Sequence, residues 1–177
     1  MKKLMLPLSE EERCSLRAGE PVLLSGDIYT ARDAAHKRLH ELIQRGEPLP
    51  FDIHDAVIYY VGPTPAKPGQ VIGSAGPTTS SRMDPYTPEL IGLGMQGMIG
   101  KGRRNKEVID AVRKHKAVYF VTVGGAGALL SECIVDRTEI AFSDLLSEAV
   151  TKLTVRDLPC FVGIDCEGND IYDMQEQ

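Results

Sequence analysis

Four consecutive hydroxyl residues stand beside an arginine in segment 73–84 of the sequence. The segment turns on Gly76 and Pro77, and the hydroxyls begin at Thr78 and end before Arg82. A glycine-proline turn that opens onto serines and threonines exposes backbone N–H groups, which together with a cation can bind an anion. The structural alternative is a helix cap, for which Ser and Thr are also favoured.

A second cation stands at the start of a predicted helix. In segment 25–36 a strand ends, Thr30 lies near the predicted cap and Arg32 falls in the first helical turn. The helix dipole favours carboxylates in that turn, so an arginine there is a mismatch that a substrate-binding role would explain. The alternative is a surface arginine paired with Asp33 or Glu41.

A third cation, Lys101, lies between two glycines that would let the backbone approach a ligand closely. A lysine in a turn is usually only solvated. The interest of Lys101 therefore depends on whether the fold brings it to the two arginines.

The sequence has little of the spacing that metal or dinucleotide sites require. His36 and His40 are one helical turn apart, but no His-Glu-x-x-His motif and no third ligand is evident. The four cysteines form no Cys-x-x-Cys pair. Segment 123–130 lacks the third glycine of a dinucleotide-binding loop, which favours a tight turn from strand to helix. We therefore expect this chain to bind no metal.

The segments that must position these residues alternate between strand and helix. The N-terminal residues 1–8 contain a first predicted strand. Further apolar runs typical of strands cover 21–25, 56–61, 71–74, 98–99, 117–123, 153–155 and 161–164. Helical patterns cover 30–44, where His36 and His40 fall on a polar stripe, then 105–114 with Asn105 as its cap, and 124–133. This alternation predicts an α/β fold in a single domain, 1–177.

Charge and hydropathy exclude several classes of partner. The formal net charge of −5 argues against binding to nucleic acid or to an anionic membrane surface. The longest nearly apolar run, residues 118–130, is well short of the roughly 20 residues that cross a bilayer. The N-terminus begins like a signal peptide, but Pro7 and the acidic residues 10–12 interrupt it. We expect a cytoplasmic protein.

Five strings, taken together and in order, resemble a known family. They are Ser-Gly-Asp-Ile-Tyr-Thr-Ala-Arg-Asp-Ala-Ala-His-Lys-Arg (25–38), Tyr-Val-Gly-Pro-Thr-Pro (60–65), Gly-Ser-Ala-Gly-Pro-Thr-Thr-Ser-Ser-Arg-Met-Asp (73–84), Met-Ile-Gly-Lys-Gly (98–102) and Gly-Ile-Asp-Cys-Glu-Gly-Asn-Asp (163–170). Across nearly the whole chain they resemble the β subunit, or C-terminal catalytic domain, of class I iron–sulfur fumarate hydratases and their L(+)-tartrate dehydratase relatives.

The resemblance implies a swivelling β/β/α domain with a mixed sheet and flanking helices. In the family, a separate α region holds a [4Fe-4S] cluster through three cysteines, and that region is absent from this chain. The resemblance thus implies a hetero-oligomer with an α subunit that carries the cluster. It also implies a small dicarboxylate substrate at the junction of the two subunits.

The resemblance also implies roles for four residues. Arg32 and Arg82 match family arginines that bind substrate carboxylates, for which a planar guanidinium is well suited. Lys101 matches a lysine near the substrate, and Thr78 matches the threonine proposed as the catalytic base. A threonine alkoxide is very unfavourable in water, so Thr78 requires cations that stabilise its anion, or it relays the proton onward.

Three further residues are expected to support the site. Asp33 and Asp84 are carboxylates that could orient neighbouring arginines, and His36 lies one helical turn beyond Arg32 as a partner behind it.

Three functions stay open at this point. The main hypothesis is reversible hydration of fumarate to L-malate. Dehydration of L(+)-tartrate differs from it by one substrate hydroxyl, which a single hydrogen-bonding group could decide. A non-catalytic module that binds a dicarboxylate is the third, and the complete set of four residues argues against it.

Overall fold

The computed structural model describes residues 1–122 and 127–174. Within these residues the strands are β1 (Lys2–Met5), β2 (Pro21–Thr30), β3 (Val57–Tyr59), β4 (Gly97–Gly100), β5 (Val118–Val121), β6 (Ile134–Ala141) and β7 (Val150–Ile164). The helices are α1 (Glu10–Ser15), α2 (Asp33–Gln44), α3 (Thr87–Gly92), α4 (Lys106–His115), α5 (Gly127–Ser131) and α6 (Ile171–Met174). Two 3₁₀ segments cover Ser80–Met83 and Ser143–Glu148.

The strands form one mixed sheet. Their order is β1-β2-β3-β4-β5-β7-β6, with parallel pairing from β1 through β5 and antiparallel pairing of β7 with β5 and β6. β2 also pairs with β7 in antiparallel fashion. Strands β2, β3, β4, β5 and β7 therefore close into a ring, and the predicted α/β class with a mixed sheet and flanking helices is confirmed.

Successive side chains of the parallel strands enter two different hydrophobic cores. In β5, Val118 and Phe120 belong to the core that contains the side chains of β1, while Tyr119 and Val121 belong to the core beneath α2, α3 and α4. Side chains alternate between faces because the strand period is two. Both faces of the sheet are thus buried at the central strands β3, β4 and β5, as expected for parallel strands.

The two long helices of the helical layer start as the sequence indicates, with one shift. Asn105 caps α4, because its side chain accepts a hydrogen bond from the N–H of Val108 at 3.0 Å. Helix α2 begins at Asp33, so its cap is Arg32 and not Thr30. Thr30 is the last residue of β2, and its hydroxyl lies 3.2 Å from the Ala149 carbonyl oxygen.

Two predictions about strands are wrong. Residues 71–74 form bends, and they are held by the neighbouring loop: Ser74 N donates to Thr64 Oγ1 at 2.8 Å and its carbonyl accepts from Thr64 N at 3.0 Å. The runs 153–155 and 161–164 are parts of one long strand, β7. Strand β6 and helix α3 were not predicted. The turn from strand to helix predicted within 123–130 begins on residues 123–126, which lie outside the described residues. Helix α5 ends at Ser131 and not at residue 133 as predicted.

Across the part of the chain that the structure describes, no helix is both long and apolar enough to span a membrane.

Candidate functional site

Two of the predicted site residues, Arg32 and Lys101, follow the carboxyl ends of strands β2 and β4, which lie on either side of β3. Thr30 of β2 lies beside Tyr59 of β3, and Tyr59 lies beside Ile99 of β4. Arg32 and Lys101 stand two residues beyond Thr30 and Ile99, so the register brings both to the same edge of the sheet. Ligands bind at the carboxyl ends of parallel strands in closed α/β barrels as well as in open α/β sheets.

Arg32 occupies the cap of α2 with an extended backbone and makes no side-chain capping bond. Its side chain packs against the backbone of Gly62, where an added Cβ would lie 2.4 Å from Arg32 Nη1. Its Nε atom is buried, and no described residue accepts a hydrogen bond from it. Arg32 is therefore not the surface arginine paired with Asp33 or Glu41 that the alternative interpretation required.

Thr78 and Lys101 are brought together by the segment that carries the hydroxyls. The N–H of Thr78 donates to the Tyr60 carbonyl at 2.7 Å, and Thr79 forms a parallel bridge with Lys101. Ser80 N donates to the Lys101 carbonyl at 2.9 Å, and Lys101 N donates to Ser80 Oγ at 3.0 Å. The side chain of Ser80 thus helps to fix the backbone of Lys101.

The close contact between this segment and β4 requires Gly100. An added Cβ on Gly100 would lie 2.1 Å from Ser80 Oγ and 2.8 Å from Cδ2 of Tyr60. Any side chain there would push the hydroxyl segment off the strand, because real Cβ atoms do not approach so closely.

Arg82 reaches the same patch through Asp33. Its Nη2 lies 2.9 Å from Asp33 Oδ1, and both side chains are about half exposed. Asp33 follows Arg32 directly, so this ion pair joins the hydroxyl segment to the first turn of α2. The fold therefore brings Arg32, Thr78, Arg82 and Lys101 to one edge of the sheet, where three cations outnumber the single carboxylate of Asp33.

A buried ion pair lies beneath this exposed patch. Arg104 Nε donates to Asp84 Oδ1 at 2.6 Å, and the other carboxylate oxygen accepts from the N–H of Asn105 at 2.9 Å. Arg104 Nη2 also donates to Thr87 Oγ1 at 2.9 Å and to the hydroxyl of Tyr60 at 3.1 Å. We refer to Arg104, Asp84, Tyr60, Tyr119 and His36 as the buried polar layer.

Two tyrosine rings enclose the guanidinium. The Arg104 Cζ atom lies 5.1 Å from the ring centre of Tyr60 and 4.8 Å from that of Tyr119, within the range of cation–π contact. Burial alone would lower the pKa of Arg104, but the two tyrosines and Asp84 raise it overall, so Arg104 stays charged. Burial raises the pKa of Tyr119, whose hydroxyl is therefore neutral.

The Tyr119 hydroxyl extends the buried polar layer to the site backbone. It lies 2.7 Å from Ser80 Oγ and 2.9 Å from the carbonyl oxygen of Gly102. A carbonyl can only accept, so both bonds form when Tyr119 donates to Gly102 and Ser80 donates to Tyr119. Ser80 then still accepts the hydrogen bond from Lys101 N.

His36 lies behind Arg32, as the sequence predicts, but it is fully buried and not on a polar stripe. Its Nδ1 lies 2.8 Å from the carbonyl oxygen of Arg32, so Nδ1 carries the proton and donates. Burial lowers the pKa of His36 to about 4, and the bond to Arg32 opposes that shift only in part. The neutral imidazole thus helps to fix the backbone of Arg32.

Arg104 was not among the site residues predicted from the sequence. Asp33 does contact one of the two predicted arginines, Arg82, whereas the arginine held by Asp84 is Arg104. In the sequence, Arg103 and Arg104 form an ordinary basic pair beside glycine. The signal that could separate them lies just after β3 and within β5, where Tyr60 and Tyr119 are buried and their hydroxyls need partners.

The described residues of this chain do not offer the ligand set of an iron–sulfur cluster. Among residues 1–122 and 127–174, no three His, Cys, Asp or Glu side chains are grouped so that they could hold a metal ion. Cys160 and Cys166 are buried, and burial raises the pKa of both thiols, that of Cys166 to about 12. A thiolate is the form that binds iron, so these environments disfavour ligation.

The fold and the site define an α/β domain with a cationic, hydroxyl-rich edge suited to a small anion. A family model described as Fumarase C-terminus matches residues 2–175, and this chain belongs to that family.

Relatives of two lengths resemble the chain. It is 41% identical to "Fumarate hydratase 2" of Leishmania major over 156 residues, and this matched region covers 87% of this chain and 28% of the relative. It is 41% identical over 151 residues to "Fumarate hydratase class I, aerobic" of Salmonella typhimurium, covering 84% and 26%. The chain thus spans just over a quarter of the length of these relatives.

A third relative is close to this chain in length. The "Putative L(+)-tartrate dehydratase subunit beta" of Methanocaldococcus jannaschii is 37% identical over 172 residues, which cover 94% of this chain and 88% of the relative.

Proposed function

We propose that this chain is the substrate-binding β subunit of a hydro-lyase that interconverts fumarate and L-malate. The observation that carries the proposal is the convergence of Arg32, Thr78, Arg82 and Lys101 at one edge of the sheet, from three separate parts of the sequence. In this proposal the chain acts as a single domain in the cytoplasm, within a hetero-oligomer. The [4Fe-4S] cluster belongs to a partner α subunit.

The two arginines are the groups that bind the substrate carboxylates. Each guanidinium offers a planar pair of N–H donors that matches a carboxylate and stays charged at every working pH. The unpaired, buried Nε of Arg32 is a donor that a carboxylate would satisfy. Arg82 is half exposed, and Asp33 is its one side-chain partner among the described residues, so it can turn toward a ligand at small cost.

Thr78 and Lys101 are the groups proposed to act at the reacting carbon. Dehydration of L-malate removes a proton from the carbon next to one carboxylate and a hydroxide from its neighbour, which yields fumarate and water. Thr78 takes or relays that proton, and Lys101 stabilises the negative charge that develops beside it. The bridge between Thr79 and Lys101 supports this pairing because Thr79 directly follows Thr78 and its backbone lies beside that of Lys101.

L(+)-tartrate is the second candidate substrate. The relative from Methanocaldococcus jannaschii, whose name gives it as a putative tartrate dehydratase subunit, matches this chain over 88% of its own length, whereas the fumarate hydratases are several times longer. The similarity to this relative keeps tartrate in the test. The two substrates share both carboxylates and differ by one hydroxyl, so the same cations would serve either.

The test is an anaerobic assay of the chain co-expressed with a cluster-bearing α subunit. We expect fumarate hydration by the pair and none by either chain alone. Arg82→Ala should lower kcat/KM about 100-fold or more, in line with the 2–5 kcal/mol that a lost charged partner costs. The free energy of unfolding should change by less than about 1 kcal/mol, because the Arg82–Asp33 pair is exposed.

Arg45→Ala is the matched control, since Arg45 is an exposed arginine paired with Glu47 at the other end of α2. Turnover of tartrate and not fumarate would move the assignment to the second candidate. Failure of both reactions in a pair with an intact cluster, with dicarboxylate binding retained, would favour the non-catalytic module.

A further inference from the structure

We infer that Arg104 is a positioning residue for the candidate site, which it supports from the buried side. Arg104 fixes the segment that carries Arg82 relative to the strand end that carries Lys101. The inference rests on the proposed function and assigns to it a residue that is not part of the exposed patch.

Both segments need such support because neither is held by long regular structure. Arg82 lies in a 3₁₀ segment of four residues, and Lys101 stands just beyond β4. The bonds between Ser80 and Lys101 join the two segments at one residue of each. A second attachment farther along both segments would prevent them from rotating about this contact.

The carboxylate of Asp84 provides this second attachment. Asp84 directly follows the 3₁₀ segment, and it accepts one hydrogen bond from Arg104 Nε and one from Asn105 N. Both donors belong to the stretch that continues from Lys101. The side chains of Arg104 and Asp84 are 0% and 6% exposed, so water does not compete for these bonds.

The guanidinium also contacts the residues that fix the rest of the site. Tyr60 accepts from Arg104 through its hydroxyl, while its carbonyl accepts from the N–H of Thr78. Tyr119 packs against the guanidinium by its ring, while its hydroxyl bonds to Ser80 and to Gly102. A lysine at this position would keep the charge but could not make the three directed bonds of the planar guanidinium.

The decisive experiment compares Arg104→Lys with Arg45→Lys in the co-expressed pair. We expect Arg104→Lys to raise KM for fumarate about tenfold and to lower kcat at least tenfold, because small misplacements of site groups cost up to about 100-fold in rate. Arg45→Lys should stay within about twofold of the unaltered enzyme, as expected for an exposed site. Thermal unfolding monitors the folded fraction of each variant.

The change in KM separates positioning from a merely structural role. Loss of folded protein lowers the apparent kcat in proportion and leaves KM unchanged. Tyr119→Phe is a second variant that removes one hydroxyl without changing the volume of the core, and we expect it to raise KM about threefold through the lost bonds to Ser80 and Gly102. It decides the question if Arg104→Lys does not fold.

An unchanged KM in Tyr119→Phe and in folded Arg104→Lys would overturn the inference and leave the proposed function intact. An inactive unaltered pair, tested on both fumarate and tartrate with an intact cluster, would overturn the proposed function and the inference with it.

Discussion

Two arginine–aspartate pairs of the same chemistry lie on opposite sides of the candidate site. Arg82 and Asp33 lie 2.9 Å apart with side chains 47% and 46% exposed, whereas Arg104 and Asp84 lie 2.6 Å apart with side chains 0% and 6% exposed. Water and a ligand can compete for the first pair, so its partners can exchange. Neither can reach the second pair, so it acts as a fixed part of the fold.

This difference assigns separate tasks to similar side chains. An exposed ion pair contributes about 0–1 kcal/mol and can be broken by a substrate carboxylate at little cost. A buried pair contributes little net stability when intact, but the loss of one partner leaves a charge without compensation. The four predictions below test whether burial, and not residue type, separates the two regions.

Breaking the buried pair should have the largest effect. Asp84→Ala leaves Arg104 enclosed by tyrosines without its carboxylate, and we expect the free energy of unfolding to fall by about 3–5 kcal/mol. Urea unfolding followed by circular dichroism measures the change. A loss below about 1 kcal/mol would mean that the pair is no more important than a surface pair.

Acid should destabilise the protein through His36. Its pKa is 6.5 in the unfolded chain and about 4 in the folded protein, so the unfolded state binds more protons between these values. The free energy of unfolding should therefore fall as the pH drops from about 6.5 to 4, by roughly 3 kcal/mol from this residue, and this contribution should level off below that.

The measurement for His36 is urea unfolding at several pH values in the unaltered protein, His36→Gln and His40→Gln. His40 lies one turn away on α2 and is partly exposed, so it serves as the control. Carboxylates that contact neither histidine contribute equally in all three proteins and cancel in the comparison; Glu89, which pairs with His40, is the exception. A pH slope that is the same with and without His36 would contradict the prediction.

Crowding Arg32 should affect the exposed patch and leave the fold largely intact. Gly62→Ala places a methyl group 2.4 Å from Arg32 Nη1, which forces this side chain to move. We expect kcat/KM for fumarate to fall about tenfold, equivalent to about 1.4 kcal/mol. Gly92→Ala is the control, because no atom beyond its chain neighbours and its own helix backbone lies within 4 Å of the added Cβ. Equal activity losses in both variants would count against the role of Arg32.

Breaking the exposed pair should have the smallest effect on stability. For Asp33→Ala we expect a change of less than about 1 kcal/mol in the free energy of unfolding, measured under the same conditions as Asp84→Ala. A loss as large as that of Asp84→Ala would remove the distinction between the two regions.

The sequence predicted those parts of the fold in which local patterns and packing agree. The apolar stripe of α2, the cap at Asn105 and the buried parallel strands were all recognisable, because side-chain period and capping are local properties. Strand β6 was not, since five of its eight residues are exposed and its backbone pairing with β7 gives no local signal.

The exposed patch was accessible from the sequence and the buried polar layer was not. Arg32, Arg82 and Lys101 stand in distinctive strings, and the fold collects them at one edge. Nothing near Arg104 in the sequence distinguishes it from exposed Arg103, because its burial depends on Tyr60, which follows β3, and on Tyr119 of β5. His36 contacts Arg32 from the next helical turn, as its spacing indicated. Its complete burial depends on the rings of Tyr60 and Tyr86, which are distant from it in the sequence.

The closed ring of strands has a consequence for how the chain folds. The ring closes only when β2 pairs with β7. This pairing places Pro21 beside Phe161 and Tyr29 beside Lys152, residues that are separated by most of the sequence. Contacts so distant along the chain carry a large loop-closure entropy and slow the rate of folding. During synthesis on the ribosome, α2 and the parallel strands emerge well before the strand that completes their core, and their apolar faces stay uncovered until it arrives.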